Sequence, residues 1–300
     1  MSVPPQPLAA GPSVPVTVRE AYLWGREHLT ACGLPEAALE AEVLLRCVLG
    51  LDRAQLYVRW SAPVPADAFA RYVQLLEQRA ARRPVAYLTG QREFFGLNFQ
   101  VDERVLVPRP ETEHLVEAVL QETRDVASPV YVDVGTGSGA VAVALAVARP
   151  DATVYATDLS EEALAVGFSN VRRHGVTGRV HLLCGDTLAP LRQAGVRAHA
   201  VASNPPYVPP RARGELPPEV LAEPTLAVFA PGPRGVELHE RIARESQEVL
   251  QPGGVLALEV AAKWDQASQV ARFLQQLGYC RVRTLRDLAG LERVVVARWR

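Results

Sequence analysis

From Val130 onward, short apolar segments alternate with stretches of helical length, and this alternation constrains the fold more than any other feature of the sequence. The segments with the length and composition of strands are 130–134, 153–157, 179–184, 200–203, 255–260, 281–285 and 293–297. Alternating strands and helices build a mostly parallel sheet with helices on both faces. We therefore predict a doubly wound α/β domain with seven strands over residues 110–300.

The first part of the chain has no strand-like alternation and predicts a small all-α domain over residues 17–83. Thr17 and Glu20 have the spacing of a capping box at the start of a helix. Further helices are expected over 36–49 and 65–82. Four residues of the second helix are expected on one buried face: Leu39, Val43, Leu44 and Cys47. Prolines crowd residues 1–16, which predicts a disordered tail.

Residues 84–109 differ from both domains and predict a β-hairpin connector. Apolar residues alternate with other residue types from Phe95 to Val101, which is the period of a strand. We expect Val105–Val107 to pair with this strand.

The composition limits the classes of function. A formal net charge of −1 and a pI near 6.6 argue against a strongly basic surface that binds nucleic acid electrostatically. The 4 cysteines form no CxxC pair, and the 6 histidines are scattered, so we expect free thiols and no metal site. No apolar run reaches the roughly 20 residues that span a bilayer, and no secretory signal is recognisable. We expect a cytoplasmic protein with no membrane association.

Residues 135–139, the glycine turn, follow the first strand of the α/β domain in the segment Asp-Val-Gly-Thr-Gly-Ser-Gly at 133–139. Glycines let the backbone turn tightly and approach a ligand closely. Taken alone, the turn is ambiguous, because Gly135, Gly137 and Ala140 also fit the looser pattern of NAD-binding proteins.

Of three carboxylates near strand ends, Asp133 favours S-adenosylmethionine over NAD as the cofactor. Asp158 ends the second strand and is placed to accept hydrogen bonds from ribose hydroxyls. Asp186 ends the third strand and is placed to meet an adenine amino group. Asp133 lies near the end of a buried strand, where a carboxylate needs a partner. The methionyl ammonium supplies a cation, whereas the pyrophosphate of NAD would not. The alternative for Asp133 is a carboxylate satisfied by backbone amides.

Residues 204–207, the Asn-Pro-Pro-Tyr loop, follow the fourth strand at the same edge of the sheet. An amide nitrogen is a poor nucleophile, because its lone pair is delocalised into the carbonyl. A site that methylates it must orient the NH2 group, and the Asn204 side-chain oxygen and the Pro205 carbonyl offer two acceptors. The prolines restrict the backbone and remove competing N–H donors. Tyr207 offers a flat face for the planar target.

The two motifs together resemble class I methyltransferases that modify planar amino or amide nitrogens. Residues 90–97, Gly-Gln-Arg-Glu-Phe-Phe-Gly-Leu, and 107–113, Val-Pro-Arg-Pro-Glu-Thr-Glu, are similar to the bacterial N5-glutamine methyltransferases of peptide-chain release factors. The similarity runs from about Thr17 to the C-terminus. In that family the substrate is the glutamine of a Gly-Gly-Gln motif in class 1 release factors.

The resemblance implies site roles for residues of both motifs. Those implied to contact the cofactor are Gly135, Thr136, Gly137, Ser138, Gly139, Asp158, Asp186, Thr187 and Asn204. Those implied to hold the glutamine are Asn204, Pro205, Pro206 and Tyr207. Arg109 and Glu111 are implied to border the methionine end of the cofactor, although Pro110 also predicts a simple helix start there.

One loop departs from the family pattern. The family has Gly-Gly-x-Asp-Gly-Leu after its Glu-Pro, whereas residues 231–236 read Pro-Gly-Pro-Arg-Gly-Val. This puts the local contacts of the loop in doubt.

The alternatives that stay open are methylation of a ribosomal-protein glutamine, N6 methylation of adenine in nucleic acid, nicotinamide-dependent oxidation and a non-catalytic binding module. We expect a monomer that uses the helical domain to recognise its protein substrate and has no direct contact with nucleic acid.

Overall fold

The computed structural model describes residues 16–300, which divide into one compact unit that ends at Gly90 and a second over Gln91–Arg300. The predicted tail lies outside the described residues except for Val16. That residue is buried, and its carbonyl accepts a hydrogen bond from the Val64 N–H at 2.7 Å. Val16 therefore belongs to the first unit.

The first unit is all-α, as predicted. Its helices are α1 (Val18–Ala31), α2 (Ala37–Leu49), α3 (Arg53–Val58), α4 (Ala66–Ala80) and α5 (Val85–Thr89). The capping box at Thr17 and Glu20 is confirmed. Gly50 ends α2 in the left-handed region at φ 64°. The short helices α3 and α5 were not predicted, and α5 extends the unit to Gly90 rather than to Arg83.

The predicted buried face of α2 is wrong in part. Leu44 is buried, but Leu39 is 51% exposed and Cys47 is exposed. The small side chains of Ala37 and Ala41 take the buried positions instead. Alanine leaves room for close helix packing, so large apolar side chains alone did not mark this face.

The hairpin exists, but its strands differ from the prediction. Strand β1 (Gln91–Phe94) pairs antiparallel with β2 (Leu97–Gln100), whereas 105–107 form no strand. Phe95 and Gly96 form the two-residue turn, with φ of 52° and 71°. Positive φ at both central residues is the requirement of a type I′ turn, whose twist matches that of the flanking strands.

The second unit contains the predicted seven-stranded sheet. Its strands are β3 (Val130–Val134), β4 (Thr153–Asp158), β5 (Val180–Cys184), β6 (Ala198–Ser203), β7 (Leu250–Glu259), β8 (Cys280–Arg286) and β9 (Glu292–Arg298). The spatial order is β5-β4-β3-β6-β7-β9-β8. Strands β3 to β7 are parallel, and β9 runs antiparallel to both β7 and β8.

Helices connect and cover these strands. They are α6 (Glu113–Glu122), α7 (Ala140–Ala148), α8 (Glu161–Arg173), α9 (Ala189–Gln193), α10 (Pro218–Leu221), α11 (Thr225–Val228), α12 (Glu237–Val249) and α13 (Gln266–Gln276). Short 3-10 helices span Pro110–Thr112 and Pro210–Glu215. Residues 140–146 of α7 are all buried, which fits its Ala/Val-rich sequence. Within residues 16–300, no helix is long and apolar enough to cross a membrane.

The end of α12 and the start of β7 correct one prediction. We expected a helix to Leu250 that Pro252, Gly253 and Gly254 stop, but α12 ends at Val249 and β7 already begins at Leu250. Gly253 has φ 81°, and its N–H donates to the Trp299 carbonyl at 2.9 Å. The positive φ of Gly253 thus allows the irregular first residues of β7 to keep a backbone hydrogen bond.

The strand order reverses between β3 and β6, and this reversal positions the site. Strands β4 and β5 follow on one side of β3, and β7 lies beyond β6 on the other. Val134 at the end of β3 is paired with Ser203 at the end of β6. The glycine turn and the Asn-Pro-Pro-Tyr loop therefore leave the sheet side by side, where open α/β sheets bind ligands.

Candidate active site

A cleft of about 280 Å³ lies at the carboxyl ends of the parallel strands. The predicted site residues that line it are Gly135, Gly137, Asp158, Asp186, Thr187, Asn204, Pro205 and Pro206. Five predicted residues are not part of its lining: Asp133, Thr136, Ser138, Gly139 and Tyr207. The cleft thus brings together both motifs and the acidic strand ends.

Backbone hydrogen bonds hold the glycine turn. The N–H groups of Gly135 and Thr136 both donate to the Thr157 carbonyl, at 2.8 and 2.9 Å. Gly135 and Gly137 have φ of 72° and 54°, which glycine adopts without a steric penalty. A Cβ atom on either would meet no described protein atom within 4 Å. The turn therefore leaves open space where a ligand can approach the backbone.

Gly139 has a different role. It precedes α7 at φ 79°, and a Cβ there would lie 3.4 Å from the Cα of Gly167 in α8. Its missing side chain permits close packing of the turn against α8 rather than contact with the cleft.

Asp133 lies beneath the turn and is 2% exposed. Its Oδ2 accepts hydrogen bonds from the Thr136 hydroxyl at 2.6 Å and from the Ala142 N–H at 3.2 Å. The pKa of Asp133 is raised to about 7, chiefly by burial and less by the nearby charge of Asp158, against the lowering effect of the hydrogen bonds from Thr136 and Ala142. The protein alone thus disfavours the ionised carboxylate. Its predicted contact with a cationic ligand stays a prediction.

Asp158 ends β4 and lines the cleft. Its Oδ2 accepts from the Gly137 N–H at 2.8 Å, and its Oδ1 accepts from the Ser160 N–H at 2.9 Å. Each carboxylate oxygen has two lone pairs, so both oxygens retain capacity for a ligand hydroxyl. The same side chain therefore braces the glycine turn and remains available as a ribose acceptor. Ser160 caps α8 by accepting from the Ala163 N–H.

Asp186 and Thr187 lie where β5 has ended. The Asp186 carboxylate receives two contacts from the Arg241 guanidinium, at 3.0 and 2.9 Å. Thr187 has φ 50°, which is rare for a side chain branched at Cβ, and its hydroxyl lies 2.5 Å from the Glu245 carboxylate and 2.8 Å from the Asp186 carbonyl. These contacts fix the corner of the cleft where we predict the adenine.

The Asn-Pro-Pro-Tyr loop begins as β6 ends. The Ser203 hydroxyl donates to the Val134 carbonyl at 2.7 Å and ties the two strand ends together. The Asn204 Nδ2 donates to the Thr112 hydroxyl at 3.1 Å, and both prolines line the cleft. The hydrogen bond to Thr112 therefore anchors the Asn204 side chain.

Tyr207 is not among the residues that line the cleft. Its side chain packs with Val208 and Phe229 in a small apolar cluster, and its carbonyl accepts from Gln266 Nε2 at 2.8 Å. Burial raises the pKa of the Tyr207 phenol, and the nearby Glu259 carboxylate raises it further. Its stacking on a substrate stays a prediction.

Arg109 and Glu111 do not line the cleft. Arg109 forms an ion pair with Glu223, whose other oxygen accepts from the Val107 N–H at 3.0 Å. Glu111 lies 3.7 Å from the Arg293 guanidinium. Pro110 opens the 3-10 helix, as its alternative role predicted.

The divergent loop, residues 231–236, is folded against the start of α12. Arg234 donates to Glu240 at 2.8 and 2.9 Å and lies 3.4 Å from Glu237. The Glu237 carboxylate in turn accepts from the backbone N–H groups of Arg234, Gly235 and Val236. The arginine that replaces an acidic residue thus pairs with the acidic first turn of α12.

The sequence did not reveal several residues of the site. The connector residues 103–106 line the cleft, as do Leu226, Leu238 and Ile242. Glu259 was also missed, although a carboxylate at the end of the apolar strand 255–260 is itself a signal. Thr112 was included only within the motif at residues 107–113, with no role predicted for it.

Comparisons with known proteins identify the family of the chain. A sequence profile described as the PrmC N-terminal domain matches residues 20–90, and one described as the methyltransferase small domain matches residues 111–221. The chain is 41% identical over 283 residues to a release factor glutamine methyltransferase of Moorella thermoacetica, covering 94% of this chain and 98% of that one. It is 39% identical over 281 residues to a release factor glutamine methyltransferase of Deinococcus radiodurans, with the same coverage.

A solved methyltransferase structure from Pyrococcus furiosus superposes with a TM-score of 0.50 at 19% identity, covering 78% of this chain and 98% of that one. That likeness shows the fold, and the two sequence relatives match nearly from end to end. The chain belongs to the family of release factor glutamine methyltransferases.

Proposed function

We propose that this chain transfers a methyl group from S-adenosylmethionine to the side-chain amide nitrogen of a glutamine, the one in the Gly-Gly-Gln motif of class 1 peptide-chain release factors. The observation that carries the proposal is the position of Asn204. It lines the same cleft as the glycine turn, and its Nδ2 is already engaged by Thr112. Family membership supplies the substrate class.

The cleft fits the proposed cofactor. The turn at Gly135 and Gly137 leaves room beside the backbone for the methionyl part. Asp158 retains lone pairs that can accept from the ribose hydroxyls, and Asp186 is the proposed acceptor for the adenine amino group. The volume of about 280 Å³ is near the small end of the roughly 300–1,000 Å³ typical of small-molecule sites. When bound, S-adenosylmethionine would supply a methyl group on a positively charged sulfur that leaves as a neutral thioether.

The residues of the loop orient the target nitrogen. Asn204 Oδ1 and the Pro205 carbonyl each accept one N–H of the glutamine amide, so that its lone pair faces the methyl group. Pro205 and Pro206 lack the backbone N–H donors that would compete for these acceptors. Positioning of this kind lowers barriers substantially without a general base. The proton on nitrogen leaves after the methyl transfer.

Mass spectrometry tests the proposal directly. A class 1 release factor incubated with the protein and S-adenosylmethionine should gain one methyl group on the glutamine of Gly-Gly-Gln. A release factor in which that glutamine is replaced by asparagine is the matched control and should stay unmodified. Methylation of a ribosomal protein or of DNA, with the release factor unmodified, would contradict the substrate assignment.

The helical unit is proposed to recognise the release factor. All cleft-lining residues fall between Glu103 and Ile242, outside the helices α1 to α5. A fragment 91–300 should therefore bind the cofactor with unchanged affinity but methylate intact release factor with a KM raised by about tenfold or more, through the loss of docking contacts. Calorimetric titration and steady-state kinetics measure the two effects. An unchanged KM would contradict this role.

The remaining expectations are a monomer and a cytoplasmic location. Light scattering at micromolar concentration and fractionation of cells test them.

A further inference from the structure

We propose that Arg241 and Glu245 of α12 are positioning residues that set the selectivity of the cleft for an adenine base. They act through the corner formed by Asp186 and Thr187, which lines the cleft, whereas neither Arg241 nor Glu245 does. The inference rests on the proposed function, because selectivity for adenine matters only if the cleft holds the adenosine part of S-adenosylmethionine.

The helical period places one face of α12 beside the cleft. Four of its residues have the spacing i, i+3, i+4 and i+7, which puts side chains on the same face of a helix: Leu238, Arg241, Ile242 and Glu245. The two apolar members, Leu238 and Ile242, line the cleft. The two charged members contact the residues that follow the end of β5. The same face thus contributes to the wall of the cleft and to the support of its corner.

Arg241 fixes the plane of the Asp186 carboxylate. Its Nη1 donates to Asp186 Oδ1 at 3.0 Å, and its Nη2 lies 2.9 Å from Oδ2. Two parallel contacts from a planar guanidinium hold a carboxylate in one orientation. Each oxygen has two lone pairs and uses one for Arg241, so one on each oxygen remains for another donor. The guanidinium therefore determines the direction from which Asp186 can accept a hydrogen bond from a ligand.

Glu245 holds both Arg241 and the backbone of the corner. Its Oε1 accepts from Arg241 Nε at 2.8 Å. Its Oε2 accepts from the Leu188 N–H at 3.2 Å and lies 2.5 Å from the Thr187 hydroxyl. The side chain of Glu245 is 12% exposed, whereas that of Arg241 is 45% exposed. Because partly buried charges are screened less than exposed ones, Glu245 is the fixed end of this chain of contacts, and it steadies Arg241.

The backbone at Thr187 needs such support. A φ of 50° is unfavourable for a side chain branched at Cβ, and it persists only where the surrounding structure holds it. The Asp186 carbonyl accepts from the Ala189 N–H at 3.1 Å within the same turn. Glu245 adds contacts to Thr187 and Leu188 from a different element. Loss of Glu245 should therefore let the corner relax and move the carboxylate of Asp186.

A carboxylate fixed at this corner discriminates between purine bases. The 6-amino group of adenine is a hydrogen-bond donor, whereas the 6-oxo group of hypoxanthine is an acceptor. An ionised carboxylate only accepts, so it favours adenine over hypoxanthine and over a purine that carries hydrogen at position 6. Discrimination of this kind requires an acceptor in a fixed position, because a mobile carboxylate can turn to water instead. Selectivity should therefore depend on Arg241 and Glu245 as well as on Asp186.

The first test measures selectivity by binding alone. The two ligands for calorimetric titration are S-adenosylhomocysteine and its analogue in which hydrogen replaces the 6-amino group. The wild type should bind S-adenosylhomocysteine about tenfold or more tightly than the analogue, the effect of one hydrogen bond to a charged acceptor. Arg241→Met keeps the apolar stem but removes the guanidinium, so this ratio should fall to within about threefold. Arg241→Lys keeps the charge without the planar fork and should also lose most of the ratio. A wild-type ratio in Arg241→Met would overturn the proposal.

Arg192→Met is the matched control for Arg241→Met. Arg192 forms an ion pair with Glu248 of α12 at 3.1 Å, and neither residue lines the cleft. The ratio of affinities in Arg192→Met should equal that of the wild type. A general weakening of α12 would lower the affinity for both ligands in parallel and leave the ratio unchanged. An equal loss of the ratio in Arg192→Met would therefore overturn the positioning role.

The second test removes the fixed end of the chain of contacts. Glu245→Ala should lower the ratio as Arg241→Met does, and it should also lower the affinity for both ligands because the corner relaxes. The double variant should have the same ratio as Arg241→Met alone, since residues that act in one chain are not additive. Glu248→Ala, three residues further along α12, is the control and should keep the wild-type ratio. A wild-type ratio in Glu245→Ala would overturn the proposal. If thermal unfolding shows that this variant is not folded, Glu245→Gln decides by the same measurement.

These outcomes are separable from failure of the proposed function, because neither test uses a release factor. If the wild type binds the two ligands with the expected ratio but leaves the release factor glutamine unmodified, the proposed function fails and the positioning role stands. If the wild type methylates the release factor but binds both ligands equally, only the positioning role fails. A wild type that does not bind S-adenosylhomocysteine would overturn both.

Discussion

The glycine turn and the Asn-Pro-Pro-Tyr loop leave neighbouring strands, yet the molecule holds them in different ways. The turn is fixed by backbone hydrogen bonds, two of them to the Thr157 carbonyl of β4, and by the carboxylate of Asp158. The loop depends on side chains from distant parts of the chain. Thr112 binds Asn204 from 92 residues away, and Gln266 binds the Tyr207 carbonyl from 59 residues away.

This difference implies a division of labour. A turn whose shape is set by glycine φ angles presents backbone and open space, which suits the binding of a ligand. A loop whose side chain is oriented by a hydrogen-bonded network suits the alignment of a reacting group. Substitutions in the turn should therefore change mainly cofactor affinity, and substitutions in the loop should change mainly the rate of transfer.

The largest effect is expected for Asn204→Ala. This change removes one of the two proposed acceptors and leaves the Pro205 carbonyl. Removing one preorganised polar partner in an active site lowers the rate by about 100- to 1,000-fold, or roughly 2.7–4 kcal/mol. Cofactor affinity should fall less, because the turn and Asp158 remain. Single-turnover rates and calorimetric titration measure the two quantities.

Asn204→Asp serves as the control for that variant. Aspartate keeps an acceptor oxygen but adds a negative charge near the sulfonium, which stabilises the ground state more than the transition state. Its rate should lie between those of the wild type and Asn204→Ala. Near wild-type transfer by Asn204→Ala would make the loop a structural turn.

A smaller effect is expected for Asp158→Ala, and it should fall on cofactor affinity rather than on the rate of transfer. A hydrogen bond to a charged acceptor contributes about 1.5–3 kcal/mol, so cofactor affinity should fall about tenfold or more. The rate at saturating cofactor should stay within a few-fold of the wild type. Thermal stability should also fall, because Gly137 and Ser160 lose an acceptor for their N–H groups. Asp158→Asn keeps one oxygen and should be milder in both respects. Unchanged affinity in Asp158→Ala would break the assignment of the turn to cofactor binding.

The same difference explains how much the sequence could predict. The sheet, the glycine turn and the carboxylate of Asp158 could be predicted from local patterns, because the period of a strand, the spacing of glycines and the end of a strand each involve residues that are close in sequence. The fold class was confirmed for that reason. The pairing of β1 with β2 was missed, because the positive φ of Phe95 cannot be read from a residue type that rarely adopts it.

The supports of the loop could not be predicted from spacing. Nothing in the sequence around Thr112 or Gln266 shows that these side chains meet 204–207, since the sheet order brings them together. The placement of Tyr207 away from the cleft lining has the same origin, because its neighbours Val208 and Phe229 pair only in the folded chain. Side-chain orientation in a loop is a tertiary property.

The smallest effect concerns Asp133, the buried carboxylate beneath the turn. The pKa of Asp133 is raised from 3.8 to about 7 in the folded protein, chiefly by burial. Between pH 3.8 and about pH 7, the Asp133 carboxyl group is ionised in the unfolded chain but still protonated in the folded protein. The contribution of Asp133 to stability is therefore present below about pH 4 and is lost as pH rises through about 7.

Asp133→Asn removes this dependence, so the drop in melting temperature between pH 5 and pH 8 should be smaller in the variant by a few degrees, at about 2–4 °C per kcal/mol for a domain of this size. Only the difference from the wild type is informative. Burial lowers the pKa of His239 to about 4, so the contribution of that histidine to the stability of the folded protein increases as pH rises. Asp133→Asn should leave the pH dependence of the transfer rate at saturating cofactor unchanged. A changed pH dependence of that rate in Asp133→Asn would show that the turn controls transfer as well as binding, and the division between the two regions would fail.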